Sequence, residues 1–313
     1  MYRIRLALVV TLLVVPAKAS ELVLREIPAN VVPGPAQYAV LLPEGYAEAQ
    51  APFPLLFYLH GGGGSRDALK QAKPLFDELW KSGQLPPLVA VTPSAGRSFY
   101  MDYKDGSQKW EQFLLGPFLD HLRETYKVRR DRQGTLLFGI SMGGMGALRL
   151  GFKHPEKFGG LAALEPGIDP ALKWKDVLPR NRFWRSQELM ESIFGKPFDA
   201  AYWEANNPAS IAAANPARLR SANLAIYLEC GDEDAFNLHE ATEFLHQVLW
   251  KHNIPHEYHL VRGADHLGRT LRPRSIEGLE FLAKVIHPPP ADPAALELQK
   301  RLAPLKAAAE KSP

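Results

Sequence analysis

The sequence predicts an α/β fold in which a mostly parallel sheet is covered by helices on both faces. Short apolar runs that end in turn residues alternate with segments whose apolar residues recur at helical spacing. The hydrophobic content, 46% of 313 residues, is sufficient for the core of such a fold. The apolar runs, which we interpret as strands buried on both faces, are 22–27, 38–42, 55–59, 88–92, 135–140, 160–164, 224–229 and 257–261.

Three segments between these runs have the pattern of amphipathic helices. Residues 109–126 place six large apolar side chains on one stripe, and residues 238–252 and 275–286 behave similarly. Pro117 lies inside the first segment, and we expect a kink there because proline cannot donate a backbone hydrogen bond.

Residues 169–221 interrupt the alternation, because they contain no convincing strand pattern and many aromatic side chains. Two interpretations stay open: a helical excursion with its own small core, or a cap over an active site, since insertions in α/β sheets lie above the strand ends. We expect one α/β domain over 20–286 with this cap-like insertion. A Pro-, Ala- and Lys-rich extension with at most a short helix follows over 287–313.

Residues 1–19 have the organisation of a secretory signal peptide. Two arginines precede an apolar run over 6–15, and Ala-Lys-Ala at 17–19 supplies the small-x-small pattern of a cleavage site. The run is short for a bilayer span, so we expect cleavage and a secreted or periplasmic protein without a membrane segment. An uncleaved N-terminal anchor is the alternative.

The charge of the chain gives no indication of a polyanionic partner. The sequence has 37 Lys and Arg residues against 34 Asp and Glu residues, and segment 1–19 holds three of the basic ones and no acid. The remainder is therefore balanced, which leaves no electrostatic footprint for nucleic acid or an anionic membrane surface. We expect neither as a partner.

Cysteine and histidine usage predicts neither a cofactor nor a metal. Cys230 is the only cysteine of the sequence, so no internal disulfide can form, and its apolar surroundings indicate a buried strand residue. No histidines have zinc-site spacing, and His256 and His259 on one strand would point to opposite faces.

Ser141 lies in the sequence Gly-Ile-Ser-Met-Gly, residues 139–143, which matches G-x-S-x-G. The motif alone is weak, but here a predicted strand leads into it and a segment of helical composition follows. That context is typical of a nucleophile elbow, a strained strand-turn-helix connection that presents a serine. The sequence therefore predicts Ser141 as a nucleophile.

A serine nucleophile needs a histidine base that an acid orients. Two downstream strands end in loops with ionisable residues, and these supply His266 as the base and Asp234 as the acid. The chain order of serine, acid and histidine is that of α/β-hydrolases. Other acids stay open as alternatives to Asp234; they are Asp232, Glu233 and Glu165.

The glycine run after the third strand predicts an oxyanion hole. Residues 60–64, His-Gly-Gly-Gly-Gly, allow a backbone N–H to approach a substrate oxygen. We choose Gly62 as this donor, with Gly63 as the next candidate, and pair it with the N–H of Met142. A merely flexible turn is the alternative, whereas a phosphate loop lacks the required glycine and lysine spacing.

These motifs together resemble the esterase D-like putative esterases, a family that includes feruloyl and acetylxylan esterases, S-formylglutathione hydrolases and bacterial mycolyltransferases. The resemblance covers roughly residues 35–285. It rests on residues 60–64, the segment Gly-Arg-Ser-Phe-Tyr-Met-Asp at 96–102, Trp110-Glu111, and residues 139–144.

The resemblance implies an α/β-hydrolase fold and hydrolysis of acyl esters through an acyl-enzyme. It supports Ser141, Asp234 and His266 as a catalytic triad. The chain departs from the family at residues 165–167, Glu-Pro-Gly, where small Ser or Gly residues are usual. It also has Leu-Gly-Arg at 267–269, where an aromatic residue is frequent.

The expected function is that of an exported serine carboxylesterase acting on a small-molecule or carbohydrate-linked ester, such as a feruloyl or acetyl ester. One alternative is an acyltransferase that uses the same triad. The other is a non-catalytic binding module, in which His266 would lie out of reach of Ser141. The sequence leaves the oligomeric state open.

Overall fold

A computed structural model of the protein describes residues 19–309, so residues 1–18 of the predicted signal peptide lie outside the described residues. Within this range one sheet is formed by the eight strands β1 (Glu21–Ile27), β2 (Ala36–Leu42), β3 (Leu55–Leu59), β4 (Val89–Pro93), β5 (Thr135–Ile140), β6 (Gly160–Leu164), β7 (Ala225–Gly231) and β8 (Glu257–Val261). Their spatial order is β1-β2-β4-β3-β5-β6-β7-β8. β2 pairs antiparallel with both β1 and β4, and all other neighbouring strands of the sheet pair parallel.

The strands lie where the apolar runs predict them, with ends that differ by at most two residues. The prediction that all of them are buried on both faces is wrong for the two edge strands. β1 buries only Val23 and Ile27, and no residue of β8 is fully buried. Each edge strand has a neighbour on one side only, and the helices cover the centre of the sheet more completely than its margins.

Two cores lie on opposite faces of the sheet. Alternate strand residues separate into two clusters, with Phe57 in one and Tyr58 in the other, as the two-residue period of a strand requires.

The helices of the described range are α1 (Asp67–Ser82), α2 (Trp110–Phe113), α3 (Leu119–Thr125), α4 (Met142–Lys153), α5 (Gln187–Phe194), α6 (Ala200–Asn206), α7 (Pro208–Ala214), α8 (Pro216–Ala222), α9 (Leu238–Lys251), α10 (Leu271–Ile286) and α11 (Pro293–Ala309). α1 and α10 cover the face of Tyr58, and α2–α4 and α9 cover the other.

The helical segment is irregular at Pro117, where a kink is expected. α2 and α3 are separated by a π-helical turn over Leu114–Phe118 that contains this proline. The wider turn accommodates the missing backbone N–H while Leu114 and Phe118 stay buried in the core.

A buried carboxylate ties α2 to α4, the helix that follows Ser141. The oxygens of Glu111 accept hydrogen bonds from Arg149, from Lys153 Nζ at 2.9 Å and from His154 Nε2 at 2.7 Å. Burial raises the pKa of Glu111, but these donors outweigh burial and hold the pKa well below its usual range. The ion pairs therefore fix α4 against the helices that cover the same face.

Residues 169–221 contain α5–α7 and most of α8 together with two short 3-10 turns, and no strand occurs in this fully described segment.

The helix in the extension after residue 286 is longer than expected, because α11 has 17 residues. It exposes leucines such as Leu298 and Leu305. In the part of the chain that the structure describes, no helix combines the length and apolarity that a membrane span requires.

The close approach of α4 to β3 predicts that a side chain at Gly143 is not tolerated. A Cβ atom there would lie 2.0 Å from the carbonyl oxygen of Leu59. We expect Gly143→Ala to lower the free energy of unfolding by about 3 kcal/mol, because backbone atoms cannot yield as a flexible side chain would. Urea denaturation followed by circular dichroism measures this change.

Gly116→Ala is the matched control, because no atom lies within 4 Å of a Cβ built at Gly116. We expect that variant to be as stable as the unsubstituted protein or more stable. Equal unfolding midpoints for the two variants would contradict the packing argument.

Candidate active site

Ser141 lies in a strained turn between β5 and α4. Its φ of 57° and ψ of −117° are rarely adopted by a residue with a side chain. Two glycines make the turn possible, because a Cβ at Gly139 would lie 2.0 Å from the carbonyl oxygen of Gly143. Backbone hydrogen bonds hold the turn: Ser141 N donates to Leu164 O, and Gly167 N donates to Ser141 O, both at 2.9 Å.

The structure brings the three predicted side chains into one hydrogen-bonded chain. His266 Nε2 lies 3.1 Å from Ser141 Oγ, and His266 Nδ1 lies 2.7 Å from Asp234 Oδ2. Both distances are within hydrogen-bonding range. His266 and Asp234 are buried, and the Phe236 ring packs edge-on against the imidazole with centroids 4.6 Å apart.

Asp234 is held as a carboxylate. Its Oδ1 accepts the backbone N–H groups of Phe236 at 2.8 Å and Leu238 at 3.2 Å. Burial raises the pKa of Asp234, but the hydrogen bond from His266 and these backbone donors outweigh burial, so the pKa is lowered.

The pKa of His266 is shifted in the opposite sense. Burial lowers it, but the hydrogen bond to Asp234 and the negative charges of Glu165 and Asp234 outweigh burial. The net effect raises the pKa of His266, so the site favours an imidazolium, the state that this histidine adopts after it accepts a proton.

The three alternative acids do not take the place of Asp234 beside His266 Nδ1. Asp232 accepts a hydrogen bond from the backbone N–H of Gly263 at 2.7 Å, and Glu233 is exposed. Glu165 is buried at the end of β6, where Oε2 accepts a hydrogen bond from Arg274 Nη1 at 2.8 Å. None of the three forms a hydrogen bond with His266 among the contacts of the described residues.

The glycine loop after β3 borders Ser141. Gly61, Gly62 and Met142 line the same cavity as Ser141, whereas Gly63 does not. A Cβ at Gly61 would lie 3.6 Å from Ser141 Cβ, so the loop backbone runs close to the serine. Met142 is the first residue of α4, and its N–H therefore has no partner within the helix.

Sequence reasoning missed the part that His60 plays in this loop. His60 Nε2 accepts the N–H of Ala95 at 3.1 Å, so Nδ1 carries the proton that is donated to Gly61 O at 2.8 Å. Burial lowers the pKa of His60, which keeps the ring neutral. The loop that borders Ser141 is thus fixed to the segment after β4 by a neutral imidazole, and only the position of His60 before the glycines hinted at this.

Ser141 opens into a cavity of about 750 Å³. Its lining includes four aromatic rings other than imidazoles, those of Tyr58, Phe99, Trp184 and Phe236. Trp184 belongs to segment 169–221, whose aromatic content was the only sequence signal for this contribution. The segment therefore forms part of the cavity wall.

A buried ion pair fastens that segment beside Ser141, and no sequence pattern indicated it. Arg185 pairs with Asp169, and Arg185 Nη2 donates to Gly167 O at 2.6 Å. Arg185 also lies over the Trp184 ring, 4.0 Å from its centroid. Since Gly167 N bonds to Ser141 O, the segment supports the serine turn through Gly167.

One group of side chains in the described part of the chain has the proximity needed for a metal ion. Potential ligand atoms of Glu165, Asp234 and His266 lie within 4.8 Å of one another. His266 Nδ1 is already hydrogen-bonded to Asp234, and both residues belong to the hydrogen-bonded chain that reaches Ser141. The arrangement is suited to proton transfer.

Comparisons with known proteins agree with this geometry. The chain is 26% identical over 260 residues to Esterase Rv1288 of Mycobacterium tuberculosis, covering 75% of this chain and 52% of that protein. It is 28% identical over 199 residues to the diacylglycerol acyltransferase/mycolyltransferase Ag85B of Mycobacterium avium, covering 58% and 56%. The chain thus spans about half the length of these curated relatives.

The solved structure of a ferulic acid esterase superposes with a TM-score of 0.71 at 24% identity, covering 86% of this chain and 99% of that one. This similarity establishes the α/β-hydrolase fold. Residues 29–268 match the family described as "Putative esterase". The chain therefore belongs to the putative esterase family.

Proposed function

We propose that the protein is a serine carboxylesterase in which Ser141, His266 and Asp234 form the catalytic triad. The observation that carries this proposal is the continuous hydrogen-bonded chain from Ser141 Oγ through the imidazole to Asp234. Membership of the esterase family supports the same reaction class. A non-catalytic module would have no requirement for a strained serine within 3.1 Å of a histidine.

The proposed reaction has two halves. Ser141 Oγ attacks the ester carbonyl while His266 Nε2 takes its proton, and Asp234 orients and stabilises the imidazolium. The N–H groups of Gly62 and Met142 are the proposed donors to the oxyanion. His266 returns the proton to the leaving alcohol, after which water attacks the acyl-enzyme and releases the acid.

The cavity supports an aromatic acyl ester, such as a feruloyl ester of a carbohydrate, as the substrate. Phe99, Trp184 and Phe236 offer ring faces and edges for an aromatic acid, and a relative that is 26% identical over 141 residues is described as an endo-1,4-beta-xylanase/feruloyl esterase. Acetyl esters are a second possibility, because a relative is described as an acetyl esterase.

The proposal includes export and a cap. The signal-like pattern at 1–19 supports a secreted or periplasmic enzyme, in accordance with a polysaccharide-derived substrate. We assign 20–286 as the catalytic domain and 169–221 as its cap-like insertion, because Trp184 lines the cavity and Arg185 bonds to Gly167, which in turn bonds to Ser141. Residues 287–313 form the C-terminal extension.

Acyl transfer is the second candidate function, and the match to a mycolyltransferase favours it. A sugar or alcohol would then replace water in the second half-reaction. Product analysis with an added acceptor, such as trehalose or glycerol, distinguishes the two: a transesterified product supports transfer, and free acid alone supports hydrolysis.

The nucleophile assignment predicts labelling at one serine. We expect a fluorophosphonate probe to label the protein stoichiometrically, and intact-protein mass spectrometry to show no labelling of Ser141→Ala. Ser275→Ala is the matched control, because Ser275 also lines the cavity but its hydroxyl donates to Leu271 O. A folded wild-type protein that stays unlabelled would refute the proposed function.

The raised pKa of His266 predicts the acidic limb of the pH profile. Only the neutral imidazole can accept the serine proton, so activity is complete above the pKa and is lost as the pH falls through it. We therefore expect kcat/KM for p-nitrophenyl acetate to be half-maximal above pH ~6.5, the ordinary histidine value. A half-maximal point below that value would contradict this electrostatic assignment.

Because Trp184 lines the cavity, we predict that Trp184→Ala weakens the binding of aromatic esters selectively. We expect KM for methyl ferulate to rise ~5-fold, since an aromatic contact contributes on the order of 1 kcal/mol, while p-nitrophenyl acetate hydrolysis changes little. Phe183→Ala is the control, because the neighbouring Phe183 is 61% exposed and does not line the cavity. Equal effects of both variants would argue against an aromatic acyl site at Trp184.

A further inference from the structure

Glu165 is a buried carboxylate that the proposed triad does not use. It follows β6 with a φ of 39° and a relative exposure of 0%. Its Oε2 accepts a hydrogen bond from Arg274 Nη1, whereas Oε1 has no hydrogen-bond partner among the described residues. A strained and incompletely paired carboxylate in the interior is costly, so its surroundings require an explanation.

Glu165 faces the triad across a short distance. One carboxylate oxygen of Glu165 lies within 4.8 Å of a His266 ring nitrogen and of an Asp234 oxygen. The titratable and charged groups that surround Glu165 are Arg274 from α10, Glu229 and Cys230 from β7, Asp234 from the loop after β7 and His266 from the loop after β8.

The buried charges around Glu165 do not balance while His266 is neutral. Arg274 Nη1 bonds both Glu165 Oε2 at 2.8 Å and Glu229 Oε1 at 2.7 Å, so one guanidinium serves two carboxylates. Asp234 adds a third negative charge beside His266. Protonation of His266 would supply the second cation of the cluster.

Burial disfavours the charged form of Glu165. It raises the pKa of Glu165 to about 7, although His266 and Arg274 act in the opposite direction. The carboxylate is thus stabilised when His266 carries a positive charge. The two groups are coupled through space rather than by a hydrogen bond.

We propose that Glu165 is a positioning residue that acts through His266: its carboxylate, held by Arg274, stabilises the imidazolium formed when His266 takes the proton of Ser141. The inference rests on the proposed serine esterase function. Glu165 forms no hydrogen bond with Ser141 or His266 among the described residues, and in acylation the proton moves from Ser141 Oγ to His266 Nε2 and then to the leaving alcohol.

The test compares Glu165→Gln with Glu229→Gln. Both variants remove one carboxylate from Arg274 and keep the shape of the side chain, but only Glu165 belongs to the group within 4.8 Å of His266. We expect Glu165→Gln to move the acidic limb of kcat/KM down by about one pH unit and to lower kcat ~10-fold with KM nearly unchanged. Glu229→Gln should leave the limb in place.

A purely structural role for Glu165 predicts lower thermal stability with an unmoved acidic limb, and that result would overturn the proposal. An equal shift of the limb in both variants would also overturn it, because the effect would then belong to the Arg274 cluster as a whole. A wild-type protein that neither labels with fluorophosphonate nor hydrolyses esters would refute the esterase function itself, and this inference with it.

A measurement on the unsubstituted protein keeps the proposal testable if Glu165→Gln does not fold. Phosphonylation of Ser141 places a tetrahedral group beside His266 and favours the imidazolium. We expect the phosphonylated protein to show the low-field ¹H NMR signals of the His266 imidazolium at pH values above ~6.5, the ordinary histidine value. Loss of these signals at or below that pH would contradict stabilisation of the imidazolium by the neighbouring carboxylates.

Discussion

The backbone of α4 packs directly on the end of β3, and the candidate site depends on this contact. Gly143 approaches Leu59 so closely that an added Cβ would lie 2.0 Å from its carbonyl oxygen, and Gly139 approaches Gly143 in the same way. The turn between them forces Ser141 into its strained conformation at the carboxyl edge of the sheet. The glycine loop that follows β3 is thereby brought against the serine, so one packing constraint positions both the nucleophile and its neighbouring N–H groups.

Buried charge is the second organising feature. Glu111 with Arg149, Asp169 with Arg185, and the Glu165–Arg274–Glu229 cluster lie beneath or beside the site. Such groups are costly to bury, and removing one partner leaves the other charged and unpaired in the interior. The first and third clusters join elements that are distant in sequence, whereas the Asp169–Arg185 pair lies within segment 169–221. Together they specify how these parts of the chain meet around Ser141.

The sequence was informative where function depends on local pattern. Apolar runs located the strands because buried strands exclude polar residues, and the order of Ser141, Asp234 and His266 indicated which side chains would meet. The pattern could not distinguish Asp234 from Asp232, since a difference of two residues in a loop is decided by backbone hydrogen bonds such as that of Phe236 to Asp234. It also did not predict the ion pair of Arg185, because an ion pair between separated residues produces no periodic pattern in a sequence.

The bond from Arg185 to Gly167 has a consequence for how the family can diversify. Segments above the strand ends are the natural place to change substrate preference, and their exchange between relatives is a common engineering route. Here the segment supplies Arg185, which donates a hydrogen bond to the carbonyl oxygen of Gly167, outside the segment, and so holds the backbone beside Ser141. A transplanted segment without an equivalent arginine would leave that carbonyl oxygen without its donor. A change of this segment that alters substrate preference therefore also alters the support of the backbone beside Ser141.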